Sequence, residues 1–315
     1  MELVDNFIKN FKANHSTRDT GLEVNSSELF WTPVEFVKTS FPEKKIESLK
    51  WLRQFAYYQL SLQQLEENRN VPYGMMAREI FDYFYNQFVV KQNQGHETPN
   101  HFFFSSAAEF VNLVKGKPLG TKVSTDQRTQ ALEMLLNMES CAIRFKKPVG
   151  EDEVRTNNNL FIRSYSGPAY AKLKETPGRV TNGEIEIELD FDTFNELSHS
   201  KRVPTRSYLV DLAGSNVTAR DLVIFIASQC YSLHKRSTDY IDYCYSDLRQ
   251  ILGKDTGILK ENFNKDLKRA VKLLTKRYED LHQEDFFPAE LISEGRGKIK
   301  LRIYRPRVIK NILCA

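Results

Sequence analysis

The amino-acid sequence predicts an α+β, helix-rich protein in which one order of elements occurs twice. Apolar residues recur three and four positions apart in several segments, which is the spacing of amphipathic helices. Short β-patterned runs end each half of the chain, and the same succession of elements appears in both halves. A chain of 315 residues has the length of about two domains. Its 41% hydrophobic and 27% charged residues exclude wholesale disorder.

The first half begins with a polar segment, residues 1–45, which we expect to be a partly flexible tail with a short apolar run at Leu29-Phe30-Trp31. A helical pattern covers residues 45–67, and a second helix follows the break at residues 68–74. A strand-like run at 101–104 precedes two helices, which Ser106 and Ser124 open with capping-box spacing. Two β-patterned runs, 141–147 and 159–166, end this half.

The second half has the same elements in the same order. We expect Thr218 to cap a first helix, residues 240–245 to form a strand, and Ser246 to cap a short helix that ends at Gly253. A long helix and a β-hairpin, over residues 286–293 and 298–304, complete it. The long helix has one apolar face, formed by Phe263, Leu267, Ala270, Leu274 and Tyr278.

Superposing the first helices of the two halves gives further evidence for an internal repeat. Arg78-Glu79-Ile80 aligns with Arg220-Asp221-Leu222, and Gln87 then falls on Gln229. Helix, strand, short helix, long helix and hairpin is the order of a winged helix-turn-helix. We therefore predict two tandem winged helix-turn-helix domains with short β-hairpin wings, at residues 46–195 and 196–315, after the tail at residues 1–45.

The net charge of +4 is unevenly distributed along the chain. Residues 254–277 contain eight basic and three acidic residues, and residues 296–315 contain seven basic residues and no acidic one. These two stretches carry +12, so the rest of the chain carries −8. The last fifth of the chain is therefore the part suited to a polyanion.

The long helix carries a basic stripe opposite its apolar face, which is the pattern of a helix that packs on one side and enters a DNA groove on the other. Arginine and lysine contact guanine and phosphate, and asparagines at the helix start contact adenine or phosphate. The alternative is a surface helix kept soluble by its lysines. The predicted DNA-binding residues of this helix are Asn262, Asn264, Lys265, Lys268, Arg269, Lys272 and Lys276.

The hairpin carries a second basic face. Lys298, Lys300 and Arg302 alternate with apolar residues, so we expect them to share one exposed strand face, with Arg296 in the turn. Such a wing is suited to the DNA backbone or the minor groove. Lysines that protect an edge strand from aggregation are the alternative. Arg305 and Arg307 extend the same positive electrostatic field.

The first domain is less basic. Gln127 and Arg128 lie at the start of its long helix, where they are candidates for contact with bases or phosphate. The alternating acidic and apolar residues at 184–190 would repel DNA. We therefore expect a secondary DNA contact and, above all, a surface for dimerisation or a partner.

We find no catalytic or metal-binding motif and expect neither enzymatic activity nor a cofactor. The chain has no P-loop and no nucleophile elbow, its six histidines include no closely spaced pair, and its four cysteines show no Cys-x-x-Cys spacing. The longest apolar run, at residues 222–227, is far shorter than the roughly 20 residues of a membrane span. With two acidic residues at its N-terminus, the chain is expected to be cytoplasmic.

Four segments, taken in order, resemble the RepA-type plasmid replication initiators. They are Val71-Pro-Tyr-Gly74, Ser246-Asp-Leu-Arg-Gln-Ile-Leu-Gly253, Phe263-Asn-Lys-Asp-Leu-Lys-Arg-Ala-Val271 and Leu301-Arg-Ile-Tyr-Arg-Pro306. The resemblance covers about residues 70–150 and 200–310. The loop before Ser124 departs from it, because it lacks the dense run of Gly and Arg typical of that family.

The resemblance implies a non-enzymatic, sequence-specific protein that binds repeated sites (iterons) in double-stranded DNA at a plasmid origin. Such proteins open the adjacent duplex, recruit the host initiator and replicative helicase, and often repress their own gene as homodimers, which controls plasmid copy number. A winged-helix transcriptional repressor without initiator activity is the main alternative. A protein-interaction scaffold with an incidental basic region is the third.

Overall fold

The structure is a computed structural model, and it describes residues 29–55, 58–148, 154–168, 171, 182–236, 238–252, 260–282, 285–293, 295, 299–307 and 312. The chain divides into two compact units. The first unit comprises residues 41–52 and 57–200, and the second comprises residues 1–40, 53–56 and 201–315. The predicted tail differs from this division, because its described part, residues 29–40, belongs to the second unit. Residues 1–28 lie outside the described part of the chain.

The described elements are listed here in chain order. The strands are β1 (Leu29–Pro33), β2 (Lys50–Phe55), β3 (Tyr58–Gln64), β4 (His101–Phe104), β5 (Cys141–Pro148), β6 (Val154–Leu160), β7 (Ile162–Ser166), β8 (Ile185–Leu189), β9 (Arg202–Arg206), β10 (Tyr240–Tyr243), β11 (Ala289–Ser293) and β12 (Ile299–Tyr304). The helices are α1 (Val34–Lys38), α2 (Gly74–Asn93), α3 (Ala107–Val114), α4 (Thr125–Glu139), α5 (Phe191–His199), α6 (Ser207–Asp211), α7 (Val217–Lys235), α8 (Tyr245–Ile251) and α9 (Lys260–Leu281). The molecule is therefore a mixture of helices and small sheets, as predicted.

The second unit has the succession α7, β10, α8, α9, β11, β12, which confirms the predicted order of elements. Its three strands form an antiparallel sheet in the order β10-β12-β11. The apolar faces of α7 and α9 pack with β12 into one core, in which Phe225, Phe263 and Leu301 are fully buried. The sheet and α7 thus pack against α9 on one side only.

The first unit repeats this topology with different strands from those predicted. Apart from β5 and β6, which lie between α4 and β7, its elements follow one another as α2, β4, α3, α4, β7, β8 and include an antiparallel sheet in the order β4-β8-β7, which matches the order in the second unit. Both predicted β-patterned runs form strands, since residues 141–147 lie in β5 and residues 159–166 cover the end of β6 and all of β7. Their pairing into one closing hairpin is wrong, because β5 pairs with β6 in a separate sheet of order β2-β3-β5-β6, whereas β7 pairs with β8. Residues 149–153, which include the acidic residues 151–153, lie outside the described part of the chain.

The predicted helix over residues 45–67 is also wrong, because this segment forms β2 and β3. Leu60, Leu62 and Gln64 are buried and alternate with more exposed residues, which is the period of a strand. Leu52, one of the apolar residues with helical spacing in this segment, is exposed. The i, i+3 spacing of a few apolar residues was outweighed by pairing with β5, in which Leu62 lies opposite Ile143.

Two predicted caps are confirmed and two are corrected. Ser106 and Ser124 accept hydrogen bonds from the backbone N–H groups three residues later, at 3.1 and 3.2 Å. Helix α7 is capped by Asn216 and not by Thr218, since the Asn216 side chain accepts from the Ala219 N–H. Helix α8 begins after Cys244 and not after Ser246. Both errors are of two residues, and neither changes which face of the helix is buried.

The aligned arginines of the repeat are both buried, and each contacts the chain that precedes its helix. The Arg78 guanidinium donates to the carbonyls of Phe41, Pro42 and Gly74 at 2.7, 3.3 and 2.8 Å. The Arg220 guanidinium lies over the ring of Phe30 in β1, 5.8 Å from its centroid. The two positions therefore anchor the entry segments of the two units.

Candidate nucleic-acid interface

Helix α9 presents the predicted basic stripe to solvent. Phe263, Leu267, Ala270, Leu274 and Tyr278 are fully buried on its inner face. At about 100° per residue, the basic residues fall within an arc of roughly 100° on the opposite side. All five are exposed: Lys265, Lys268, Arg269, Lys272 and Lys276. The structure therefore separates the packing face of α9 from its charged face.

The charge of this stripe is not neutralised by the described part of the chain. Among the described residues, no carboxylate forms an ion pair with any of the five basic side chains. An unpaired cation keeps its full attraction for an external anion, whereas a paired one must first lose its partner. Helix α9 therefore offers five positive charges to a polyanion.

The two asparagines at the start of α9 differ in their exposure to solvent. Asn262 is exposed. Asn264 is half-buried, and its side-chain Oδ1 is shielded from solvent without a hydrogen-bond partner in the described part of the chain. An amide oxygen turned inwards is poorly placed to contact a base, whereas the side chain of Asn262 is accessible to one.

The basic residues of β12 lie beside a carboxylate of the neighbouring strand. Arg302 donates from Nε and Nη2 to the two carboxylate oxygens of Asp242 in β10, at 2.8 and 2.9 Å. The Lys300 ammonium lies 3.0 Å from the same carboxylate. Both side chains are therefore paired across the sheet, and a DNA phosphate would have to compete with Asp242 for them. Arg296 and Lys298 lie outside the described residues.

Asp242 is held in this arrangement in its charged form. The hydrogen bond from Arg302 and then that from Lys300 lower its pKa from 3.8 to about 2. The cluster extends to Tyr240, whose ring lies under the Arg302 guanidinium at 4.1 Å from the ring centroid. Because the pKa is depressed, the pair is intact at neutral pH and is lost only as the pH falls towards 2.

Asp242 is the residue of this surface that the sequence reasoning missed. Its signal was present, because the alternation of Tyr240, Ile241, Asp242 and Tyr243 places Asp242 on the outer face of a strand. The partner strand, however, lies 60 residues away along the chain, opposite Asp242 at Arg302. Only the strand pairing shows that this carboxylate meets two of the predicted DNA-binding residues.

Arg305 and Arg307 do not extend the stripe of α9. Both are exposed, but they follow the end of β12 that is farthest from the hairpin turn. The Arg307 guanidinium lies over the ring of Phe286, 5.3 Å from its centroid. These two arginines therefore belong to a different surface of the second unit.

The long helix of the first unit, α4, presents no comparable face. Gln127 uses its side-chain oxygen to accept from the Ser124 N–H, which completes the capping box. The Arg128 guanidinium donates to the Thr125 hydroxyl at 3.1 Å. The C-terminal half of α4 is buried almost all round, at Ala131, Leu132, Met134, Leu135, Leu136, Asn137 and Met138. The structure assigns Gln127 and Arg128 local structural contacts and gives no support to their predicted role in DNA binding.

The acidic strand of the first unit is β8. Its apolar residues Ile185, Ile187 and Leu189 are fully buried, which confirms the predicted alternation. Glu188 lies 3.7 Å from His101 and 3.7 Å from Arg163, on the outer face of the sheet. This face combines acidic residues with the exposed ring of Phe103, and its charge is unfavourable for DNA.

In the part of the chain that the structure describes, no helix is long and apolar enough to cross a membrane. No group of three or more His, Cys, Asp or Glu side chains among those residues is placed to hold a metal ion.

Comparisons with known proteins found similarity at the level of solved structures. No family model matches the chain, and no curated protein matches it. The crystal structure of RctB domains 2 and 3 (residues 155–483) is similar over 88% of this chain and 98% of that chain, with 11% identity and a TM-score of 0.46. A structure of selenomethionine derivatives of the same two RctB domains covers 86% of this chain and 97% of that chain, with 13% identity and a TM-score of 0.47.

Proposed function

We propose that this chain is a sequence-specific DNA-binding protein that initiates replication at a plasmid origin, without enzymatic activity or a cofactor of its own. The observation that carries the proposal is the exposed basic stripe of α9, whose five cations have no described carboxylate partner. Its spacing of positive charge on a rigid helix fits the major groove, which is wide enough to admit one helix. The resemblance of the sequence to RepA-type initiators extends the proposal from DNA binding to initiation.

In this proposal the second unit is a winged helix-turn-helix with α9 as its recognition helix. The order of elements from α7 to β12 and the sheet order β10-β12-β11 support this interpretation. Lys268, Arg269 and Lys272 lie in the middle of the stripe and would contact base edges and phosphates. The hairpin turn, with Arg296 and Lys298, would contact the backbone beside the groove.

The first unit has the same topology and takes a different role. We propose that it is a second winged helix-turn-helix that forms the homodimer or binds a host initiator or helicase. The C-terminal half of α4 is buried by packing, so this helix offers no basic recognition face, and the acidic outer face of the β4-β8-β7 sheet is unfavourable for DNA. We therefore favour a protein partner for this unit. The protein would act in the cytoplasm.

Footprinting on the DNA that flanks the gene would test sequence-specific binding. We expect protection of tandem repeats, and we expect permanganate reactivity of the adjacent duplex only in the presence of the protein. Protection without duplex opening would favour the repressor. Absence of any protected site would contradict the proposal.

A salt titration separates DNA binding from a scaffold role. Each phosphate neutralised contributes about −0.9 to the slope of log affinity against log salt, so five contacts predict a slope of about −4.5. Fluorescence anisotropy with a labelled duplex gives this slope directly. A slope near zero would favour the scaffold with an incidental basic region.

Replacing Asp242 with asparagine should increase affinity for duplex DNA by about three- to tenfold. The substitution removes one negative charge from the surface and releases Lys300 and Arg302, so the salt slope should steepen by about one to two contacts. Anisotropy titrations of the wild type and D242N with one duplex check this. Asp239→Asn removes an exposed carboxylate outside this cluster and is the matched control. Equal affinities of wild type and D242N would show that this strand face does not approach DNA.

A further inference from the structure

A groove lies at the end of the second unit's sheet that is remote from the hairpin turn. Its volume is about 690 Å³, which is within the range of ligand pockets. The lining residues come from the C-terminus of α7, the segment before β11 and the segment after β12. They include His234, Phe286, Pro288, Tyr304, Arg305 and Arg307. We call this the Phe286 groove.

Phe286 is the most unusual residue of the groove. Its side chain is 64% exposed, although phenylalanine is normally buried. The Arg307 guanidinium lies over its ring, and Pro288 and Pro306 add further apolar surface. Exposed aromatic rings beside arginine are typical of the centres of protein–protein interfaces, where these residue types contribute most of the binding energy.

The groove is separate from the proposed DNA surface. β12 runs from the hairpin turn at Ile299 to Tyr304 at the groove, which is about 17 Å at 3.4 Å per residue. The groove is therefore remote from the hairpin turn. It adjoins the C-terminal end of α9 through Asp285, which accepts from Tyr278 on the inner face of that helix, opposite the basic stripe. In this proposal its ligand is a different molecule from the DNA that we propose for α9.

The charges of the groove favour a peptide over a nucleic-acid strand. Arg305 and Arg307 are exposed and can each bind a carboxylate. Two carboxylates also line the groove: Asp239 is exposed, and Asp285 is buried, where it accepts from the Tyr278 hydroxyl at 2.6 Å. A strand with a phosphate at every nucleotide would meet these carboxylates, whereas a peptide can place single acidic residues opposite the arginines.

We propose that the Phe286 groove is a docking site for a short acidic peptide segment of a partner protein. The peptide would insert a bulky apolar side chain beside Phe286 and place one or two carboxylates against Arg305 and Arg307. The backbone of Arg305 is fixed for this role, because its N–H donates to the Asp239 carbonyl at 2.7 Å. This site is independent of the proposed DNA contacts.

Selection from a random octapeptide library displayed on phage, against the full-length protein, tests the proposal. We expect enriched sequences that combine Asp or Glu with Leu, Phe or Trp. A fluorescein-labelled synthetic copy of the enriched peptide should bind the wild type and lose at least tenfold in affinity with Phe286→Ala and with Arg307→Ala. Phe103→Ala removes a ring that is equally exposed, at 65%, in the first unit and should leave peptide affinity unchanged.

Three results would overturn the proposal: no enriched sequence, an enriched sequence that is basic, or equal binding to the wild type and Phe286→Ala. A further result would replace it, namely that single-stranded oligothymidylate binds the wild type and loses its affinity with Phe286→Ala. Because Phe286 and Arg307 are exposed, both variants should keep the wild-type melting temperature. Their affinity for duplex DNA should also be unchanged, so this test can fail while the proposed function stands.

Discussion

Replacing Lys268, Arg269 and Lys272 together with alanine is expected to abolish specific binding to duplex DNA while the protein stays folded. The three side chains lie on the exposed face of α9, opposite the buried row from Phe263 to Tyr278. Each lost base or phosphate contact is worth about 1 kcal/mol or more, so the affinity should fall at least 100-fold. The salt slope should become shallower by about 2.7, at 0.9 for each cation. Anisotropy titrations between 50 and 200 mM salt measure both quantities.

The matched control is the triple substitution of Lys44, Lys45 and Lys50 with alanine. These lysines are exposed, and their substitution removes the same amount of positive charge from the first unit. If general electrostatic attraction explains binding, both triple variants should lose affinity equally. If α9 is the recognition helix, only the first variant should lose the footprint. Retention of the footprint by the first variant would contradict the assignment of α9.

Replacing Arg78 with alanine is expected to destabilise the first unit by about 2–5 kcal/mol. The guanidinium is 2% exposed and donates to three backbone carbonyls, of Phe41, Pro42 and Gly74. Alanine would remove the side-chain donor of the buried Phe41 carbonyl, whereas the Pro42 carbonyl keeps the Gly74 N–H at 2.8 Å, and it would open a cavity of several methylene groups. The segment at Phe41 and Pro42 would lose its hydrogen bonds from Arg78. We therefore expect the first residues of this unit to unfold locally before the rest.

The two tryptophans allow the free energy of unfolding to be measured for each unit separately. Trp31 belongs to the second unit and Trp51 to the first. In a Trp31→Phe background, urea unfolding followed by the fluorescence of Trp51 therefore reports the first unit. Arg163→Ala, which removes an arginine with a 68% exposed side chain at 3.7 Å from Glu188, should cost less than about 1 kcal/mol. Equal effects of the two arginine substitutions would contradict the anchoring role of Arg78.

The elements whose signals are local were predictable from the sequence. Ser106 and Ser124 mark helix starts through contacts three residues away, and the 3.6-residue period of α9 places its buried and basic faces correctly. Strand partners are determined by contacts across long stretches of chain. Phe103 lies opposite Glu186 in the sheet of the first unit, and no local pattern distinguishes that pairing from one with β5.

The difference between local and long-range contacts also explains which residues of the candidate site could be predicted. The basic residues of α9 were predictable because one helix supplies both the apolar and the charged face. Lys300 and Arg302 were placed on the correct strand face, but their pairing with Asp242 depends on a strand 60 residues earlier. Gln127 was predicted to contact bases because a glutamine at the start of a helix has the same sequence signal in two roles. It can cap the helix, as it does here, or it can contact a base.

The pairing of β1 with β9 has a consequence for synthesis of the chain. Pro33 lies opposite Arg202, so the first strand of the second unit leaves the ribosome about 170 residues before its partner. At 5–20 residues per second, β1 waits about 10–30 s while the whole first unit is translated. During that interval, the apolar side chains of Phe30 and Trp31 have no β9 to cover them. The nascent protein should therefore be most open to chaperones and to misassociation before the second unit is complete.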